Sequence, residues 1–337
     1  MFGLANTRLC AHVARLLAGF LAALFAVAIS PSFGASEVAY PKQPIRILVP
    51  YAAGGSTDAI ARLVAKELTD ELGQTFYVEN KPGAGGILAH DIQSKTQPDG
   101  STLLFSSAGP LTVTPHIQPK LPYRPIDDFA PVKLIAKAPL LLVVNPKVPA
   151  KTLQDLVELA RKEPGKLTYA SFGYGSAAHL AGEMFKLRQK VDILHVPFKG
   201  SAPALTGLIG GEVDMMFDVL VTALPQVQAG TLRALAVTSD KRWALTPDTP
   251  TMAEAGLPKF EAGTWFGLLA RAGTPQPIID RLSSALDKSF AKEEFRAALT
   301  TQGAEVAGGT PEDFNTFFRS EFEKWGAMIK ESGIQTQ

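Results

Sequence analysis

The chain has 337 residues, 33 Lys and Arg against 32 Asp and Glu for a formal net charge of +1, and 46% hydrophobic residues. That length allows two domains, and the mixed composition belongs to a globular protein, not to a disordered or fibrous one. Without a basic excess there is no footprint of a nucleic-acid partner, and a single cysteine excludes an internal disulfide framework.

Arg8 and Arg15 precede an uncharged apolar run over residues 16–29, and the small residues Ser32, Gly34, Ala35 and Ser36 come next. This order reads as a secretory signal peptide over residues 1–35, with a run short for a membrane span. Its removal takes away two arginines, no acid and Cys10, so the net charge passes from +1 to −1 and the mature chain has no cysteine.

Residues 45–49 are an apolar run broken only by Arg46, as expected of a strand covered on both faces. Tyr51-Ala52-Ala53-Gly54-Gly55-Ser56-Thr57-Asp58 turns the chain there, with glycines suited to positive φ and three good helix-capping residues. Ile60, Leu63, Val64, Leu68 and Leu72 then recur at helical spacing until Gly73. A glycine turn at a helix N-terminus offers free N–H groups and the positive end of the helix dipole to an anion, although such turns also serve simply as connections.

A strand over residues 75–80, a second glycine turn at Gly83, Gly85 and Gly86, a helix over 87–95 and a strand over 101–106 continue the alternation, which implies a parallel sheet. Prolines are dense between Pro115 and Pro139, so an irregular surface passage is expected before a strand over 140–144. A second α/β series follows. It has helices opening near Thr152, Ala177, Ala202 and Val219, and strands over 167–171, 193–196, 213–217 and 233–238. Residues 239–250 read as a return linker, and the strand over 265–270 has to find a sheet to join. Thr310 and Pro311 open a last helix, whose Phe314, Phe317, Phe318, Phe322 and Trp325 form an aromatic stripe that suits core packing.

Small, donor-rich loops follow several strands, and in open α/β sheets such loops converge on a cleft beyond the carboxyl ends of the strands. A dinucleotide site is the competing reading of the first unit, with Glu79 at the end of the second strand. The turn, however, lacks the G-x-G-x-x-G spacing. No G-x-S-x-G elbow or phosphate-loop motif occurs, and His90, His116, His179 and His195 lack metal-ligand spacing. No cofactor or metal is expected.

The segments Pro44 through Asp58, Glu79-Asn80-Lys81-Pro82-Gly83-Ala84-Gly85-Gly86, Pro98-Asp99-Gly100, His195-Val196-Pro197-Phe198-Lys199-Gly200-Ser201, Met216-Phe217-Asp218 and Gly267-Leu268-Leu269 resemble, in order, the Bug family. These are periplasmic receptors of tripartite tricarboxylate transporters. The resemblance implies an α/β type II periplasmic binding-protein fold, with two α/β lobes joined by two crossover linkers and a ligand cleft between them. Lobe 1 would comprise residues 38–142 and 244–337, and lobe 2 residues 143–243.

It also implies a periplasmic monomer that is not an enzyme, that binds a small organic carboxylate, and that hands it to an inner-membrane permease. Service to a sensor partner is the alternative, and a secreted enzyme with a Rossmann-like site is a further one. The ligand contacts it implies are Ala53, Gly55, Ser56, Thr57, Asp58, Ser107 and Gly109 from lobe 1. From lobe 2 they are Phe172, Tyr174, Ser176, His179, Lys199, Gly200, Ala202 and Asp218. Phe172 and Tyr174 stand where the family more often has small polar residues, so an aromatic or largely apolar carboxylate is expected to bind tighter than citrate.

Overall fold

Strand β1 (Ile45–Val49) is buried except at Arg46, whose guanidinium reaches Glu79 at 3.2 Å. The computed structural model describes residues 40–118, 120–260 and 262–332, so the expected signal peptide lies outside the described residues. Helix α1 (Ser56–Leu72) follows the turn, buries Ile60, Val64 and Leu68, and ends where Gly73 takes a left-handed φ of 68° and donates to the Thr69 carbonyl. Strand β2 (Phe76–Asn80), helix α2 (Ile87–Ser94) and strand β3 (Thr102–Ser107) follow, with β2 and β3 pairing in parallel on either side of β1.

A π-helical turn (Gly109–Val113) and the short helix α3 (Thr114–Ile117) lead to strand β4 (Phe129–Val144). The second series is α4 (Leu153–Lys162), β5 (Thr168–Ser171), α5 (Ala177–Gln189), β6 (Leu194–Pro197), α6 (Ser201–Gly210), β7 (Met215–Val219), α7 (Leu220–Gln228) and β8 (Arg233–Val237). Thr152 and Asp155 form the capping box expected at the start of α4. Then come β9 (Gly263–Arg271), α8 (Gln276–Ala291), α9 (Glu293–Thr301), the two-residue β10 (Glu305–Val306) and α10 (Pro311–Ser332).

The strands run in the order β2-β1-β3-β9-β4-β7-β5-β6, with β8 and β10 also on β4. The parallel pairing expected of the first series holds in β2-β1-β3, while the full sheet is mixed, because β9 is antiparallel to β3 and β4, and β7 and β8 are antiparallel to β4. One expectation needs correction here. The expected irregular passage before residue 140 is a strand from Phe129 onward, since β4 runs 16 residues through Pro131 and Pro139. Both prolines sit where a missing donor is tolerated: the register with β9 shifts between Pro131 and Lys133, and after Pro139 the strand exchanges β9 for β7 and β8.

The second crossing lies beside the first. Leu140 N–H donates to Thr238 Oγ1 and Thr238 N–H to the Leu140 carbonyl, both at 2.9 Å, while the Thr238 hydroxyl also reaches the Ala262 carbonyl. The strand over 265–270 does find a sheet, as β9 between β3 and β4. Against it α10 buries Phe314 and Phe318, and Phe314, Phe317 and Phe318 meet Trp265 edge-on, whereas Trp325 is buried with Val113, Ile117 and Leu180. Phe322 is half-buried on the His116 ring.

Candidate functional site

In the first turn the two glycines divide the work. Gly54 takes a positive φ of 80°, whereas Gly55 is extended (φ −83°, ψ 172°) and is the N-cap of α1. Asp58 folds back over this turn: its Oδ2 accepts from Gly54 N–H and Arg62 Nε, and its Oδ1 from Asn80 Nδ2, each at 2.9 Å. Burial disfavours its charge, but bonds from Arg62, Gly54 and Asn80 prevail and hold the carboxyl below the ordinary value. Asp58 therefore anchors the turn, and its acceptor oxygens are already engaged.

In the second series Ser176 caps α5, accepting from His179 N–H at 3.3 Å and donating to the Gly173 carbonyl at 2.7 Å. Gly175 N–H donates to His179 Nδ1 at 3.3 Å, which places the proton of the neutral ring on Nε2. His195 packs 4.5 Å from His179, with Nε2 2.6 Å from Ser171 Oγ. Burial pushes His179 down to about 4 and His195 to about 3, so both are neutral at physiological pH.

Helix α6 opens after Gly200, whose φ of 133° suits glycine alone. Its first residue, Ser201, donates to Asp218 Oδ1 at 2.8 Å, and Val219 N–H donates to the same oxygen at 2.9 Å. Asp218 is fully buried, its Oδ2 has no hydrogen-bond partner among the described residues, and burial pushes its carboxyl up to about 7.

The two sets of loops touch. Ala52 N–H donates to the Lys199 carbonyl at 3.0 Å. A Cβ on Gly55 would lie 3.5 Å from Ala202 N and Ser201 Cβ, and one on Gly109 would lie 2.8 Å from the Gly175 carbonyl oxygen. At Gly85 it would overlap the Tyr174 carbonyl oxygen. Small residues are what allow this approach, and it brings the N-terminus of α1 against that of α6, with the N-terminus of α5 against Gly109.

Of the residues singled out in the sequence, Gly55, Ser56, Thr57, Asp58, Ser107, Gly109, Ser176, Gly200 and Asp218 are buried along this meeting surface or just behind it. Ala202 is half-buried there, whereas Ala53 is exposed on the turn. Phe172, Tyr174, His179 and Lys199 instead line an adjoining cavity of about 810 Å³, together with Tyr51 and Gly85. Phe172 is buried with its ring edge-on to Tyr51 at 6.5 Å, while Tyr174 is 39% exposed and edge-on to both His179 and His195. A separate groove of about 550 Å³, walled by Trp243, Trp265 and Trp325, contains none of the residues singled out for binding.

Tyr51, Gly85, His195 and Ser201 join the site without having been placed in it by the sequence reading. Gly85 and Ser201 had a signal, since Ser201 follows Gly200 in a loop of small donors after a strand and Gly85 stands in the second glycine turn. Tyr51 had less: burial pushes its phenol up to about 12, opposed by the Ser107 hydroxyl, and nothing local reveals that burial. Among the described residues no group of three or more His, Cys, Asp or Glu is arranged to hold a metal ion, and no helix is long and apolar enough to cross a membrane.

The family model for the tripartite tricarboxylate transporter family receptor matches residues 60–334. Protein BugT of Bordetella pertussis is 38% identical over 297 residues, covering 88% of this chain and 91% of the relative. Two solved structures are similar throughout. Rpa4515 of R. palustris with adipate has a TM-score of 0.85 and 36% identity over 87% of this chain and 98% of that one. MatC of Rhodopseudomonas palustris with bound malate has a TM-score of 0.83 and 35% identity over 86% and 100%.

Proposed function

Because the chain belongs to the tripartite tricarboxylate transporter receptor family, a family of solute-binding receptors and not of enzymes, we propose that it captures a small organic carboxylate between its two lobes and delivers it to an inner-membrane permease of that transporter type. The lobes are residues 38–142 with 244–337, and residues 143–243, a division supported by the change of β4's partners after Pro139. The receptor acts as a periplasmic monomer after loss of its signal peptide.

The observation that carries this reading is the convergence of three helix N-termini, those of α1, α5 and α6, from both sides of one cleft. Each presents backbone N–H groups and the positive end of a dipole, so a carboxylate held among them collects charge-assisted bonds worth roughly 1.5 to 3 kcal/mol apiece before ordering costs. Ser56, Thr57 and Ser107 add hydroxyls around it, and Lys199 adds charge near the opening of the cleft. Adipate and malate, carried by the two structural relatives, indicate the size and charge of acid to try first.

Calorimetry and thermal-shift measurements with adipate, malate, benzoate and citrate test this directly. Adipate or malate is expected to raise the melting temperature, and no response to any of the four acids would overturn the receptor reading. The rings of Phe172 and Tyr174 add about 0.5 to 1.5 kcal/mol for an apolar or aromatic acid, up to roughly tenfold in affinity. Citrate binding tightest of the four would remove that ring contribution while leaving carboxylate capture intact.

A further inference from the structure

Asp218 is an acid in a place built for anions. It ends β7 directly behind the meeting of α1 and α6: its Oδ1 holds the Ser201 hydroxyl, and Ser201 Cβ lies 3.5 Å from where a Cβ on Gly55 would stand. The second oxygen, Oδ2, has no hydrogen-bond partner among the described residues, and the residue is fully buried. The Thr222 hydroxyl lies near enough to favour the charged carboxyl slightly, but its single proton is shared with the Val219 carbonyl at 3.1 Å and Ser201 Oγ at 2.9 Å, and burial outweighs it.

Among the described residues no cation compensates the carboxyl. Strand β4 from Leu140 to Val144 and helices α6 and α7 carry no titratable side chain. Helix α5, packed on β7, carries His179, Glu183, Lys186 and Arg188. His179 is engaged with Gly175, Glu183 with Tyr169 and Lys186, and Arg188 with the Pro258 and Lys259 carbonyls. On β5 the Tyr169 phenol is thus already paired. Across the cleft Asp58 is paired with Arg62, and Lys199 is exposed. A buried, unpaired carboxylate facing a second carboxylate is doubly unfavourable, and one proton between them removes both penalties.

Resting on the carboxylate-receptor reading above, we propose that Asp218 carries a proton in the ligand complex and donates it as a hydrogen bond from Oδ2 to a carboxylate of the bound acid, so that capture above neutral pH takes up one proton from solvent. No other bond forms or breaks. The free carboxyl, pushed up to about 7 by burial, puts the onset near neutrality. Adipate affinity is then constant below pH 7 and falls about tenfold per pH unit above it, roughly a hundredfold by pH 9.

The test uses the mature protein with adipate and with malate. Calorimetry at pH 8 in two buffers of different ionisation enthalpy is expected to show uptake of nearly one proton per ligand. A dissociation-constant series from pH 6 to pH 9 gives the slope independently. Asp218→Asn, which keeps a donor at that position, is expected to bind with a flat pH profile and no proton uptake. Wild-type binding that is independent of pH and takes up no proton would overturn the proposal while leaving the receptor reading standing. Affinity that rises with pH, together with preference for an α-amino acid over adipate, would also overturn it, since it would mean an ionised Asp218 paired with a ligand ammonium. If neither acid binds at any pH, the proton proposal falls, and the receptor reading then stands or falls with benzoate and citrate.

Discussion

Gly109 lies in a helical turn, where alanine is at ease, yet a methyl group there would stand 2.8 Å from the Gly175 carbonyl oxygen of the facing loop. Gly109→Ala is therefore expected to spare the fold and to oppose closure. At about 1 to 3 kcal/mol for such overpacking, adipate binding should weaken some five- to 150-fold while the melting temperature of the free protein stays near wild type. Paired calorimetry and melting curves check this, and unchanged affinity would mean that ligand capture does not need this contact. Asp218 makes a second residue-scale case. Its folded pKa of about 7 lies above the ordinary 3.8, so its contribution to stability is fully present below pH about 4 and is lost as the pH rises towards 7. Asp218→Asn should accordingly raise the melting temperature more at pH 8 than at pH 5, and equal shifts at the two pH values would show that its charge costs nothing in the fold.

At the scale of elements, α10 is held to β9 by a side chain lying on a glycine. A Cβ on Gly267 would overlap the Phe314 ring, and Phe314, fully buried, stands edge-on to Trp265 at 5.6 Å. Phe314→Ala is expected to cost about 3 to 5 kcal/mol in urea unfolding, the range for removing a buried aromatic ring. Strand β4 is tied on its other side by Lys133, which is 1% exposed. Its ammonium bonds to the Gly309 carbonyl, to Ser283 and to Asp287 on α8. Lys133→Met should cost less, about 1 to 3 kcal/mol, because Asp287 is 60% exposed and water can take over its side of the pair. A larger loss for Lys133→Met than for Phe314→Ala would mean that the tie, and not the aromatic stripe, fixes these helices.

For the whole molecule, the histidines set the acid limit of stability. Burial holds His90 and His179 down to about 4, and His195 to about 3, below the ordinary 6.5. A lowered histidine pKa means that the unfolded chain binds protons the folded one refuses. The histidine contribution is thus complete above pH 6.5 and is lost as the pH falls towards 4, against the opposite trend of the single Asp218 carboxyl. His90 and His179 alone give a slope of up to about 3 kcal/mol per pH unit in that window. Chemical denaturation at pH 7, 6, 5 and 4.5 measures it, and a flat profile down to pH 4.5 would show that these rings accept protons in place. Ligand-bound closure is testable at the same scale: the direct Ala52 to Lys199 bond joins loops of the two lobes, so adipate should make the scattering profile more compact unless the free protein is already closed.

What the sequence determined by itself was local. The turn after β1, the stop at Gly73, the Thr152 and Asp155 capping box and the Thr310–Pro311 start of α10 all depend on residues within four positions of one another, where spacing is sufficient. The motif order reached further, to the family and its fold, because loops that approach one another this closely admit only small residues at fixed positions. Tertiary structure decided the rest. Only the register with β9, β7 and β8 makes a strand of the proline-bearing stretch before residue 140, and only the facing loop makes Gly55, Gly85 and Gly109 contact residues. Within the turn, Asp58 reads as a free ligand acid until Arg62 and Asn80 fold over it. Asp218 reads as one more loop-end acid until burial leaves it without a cation, because partners and desolvation come from chain that is distant in sequence.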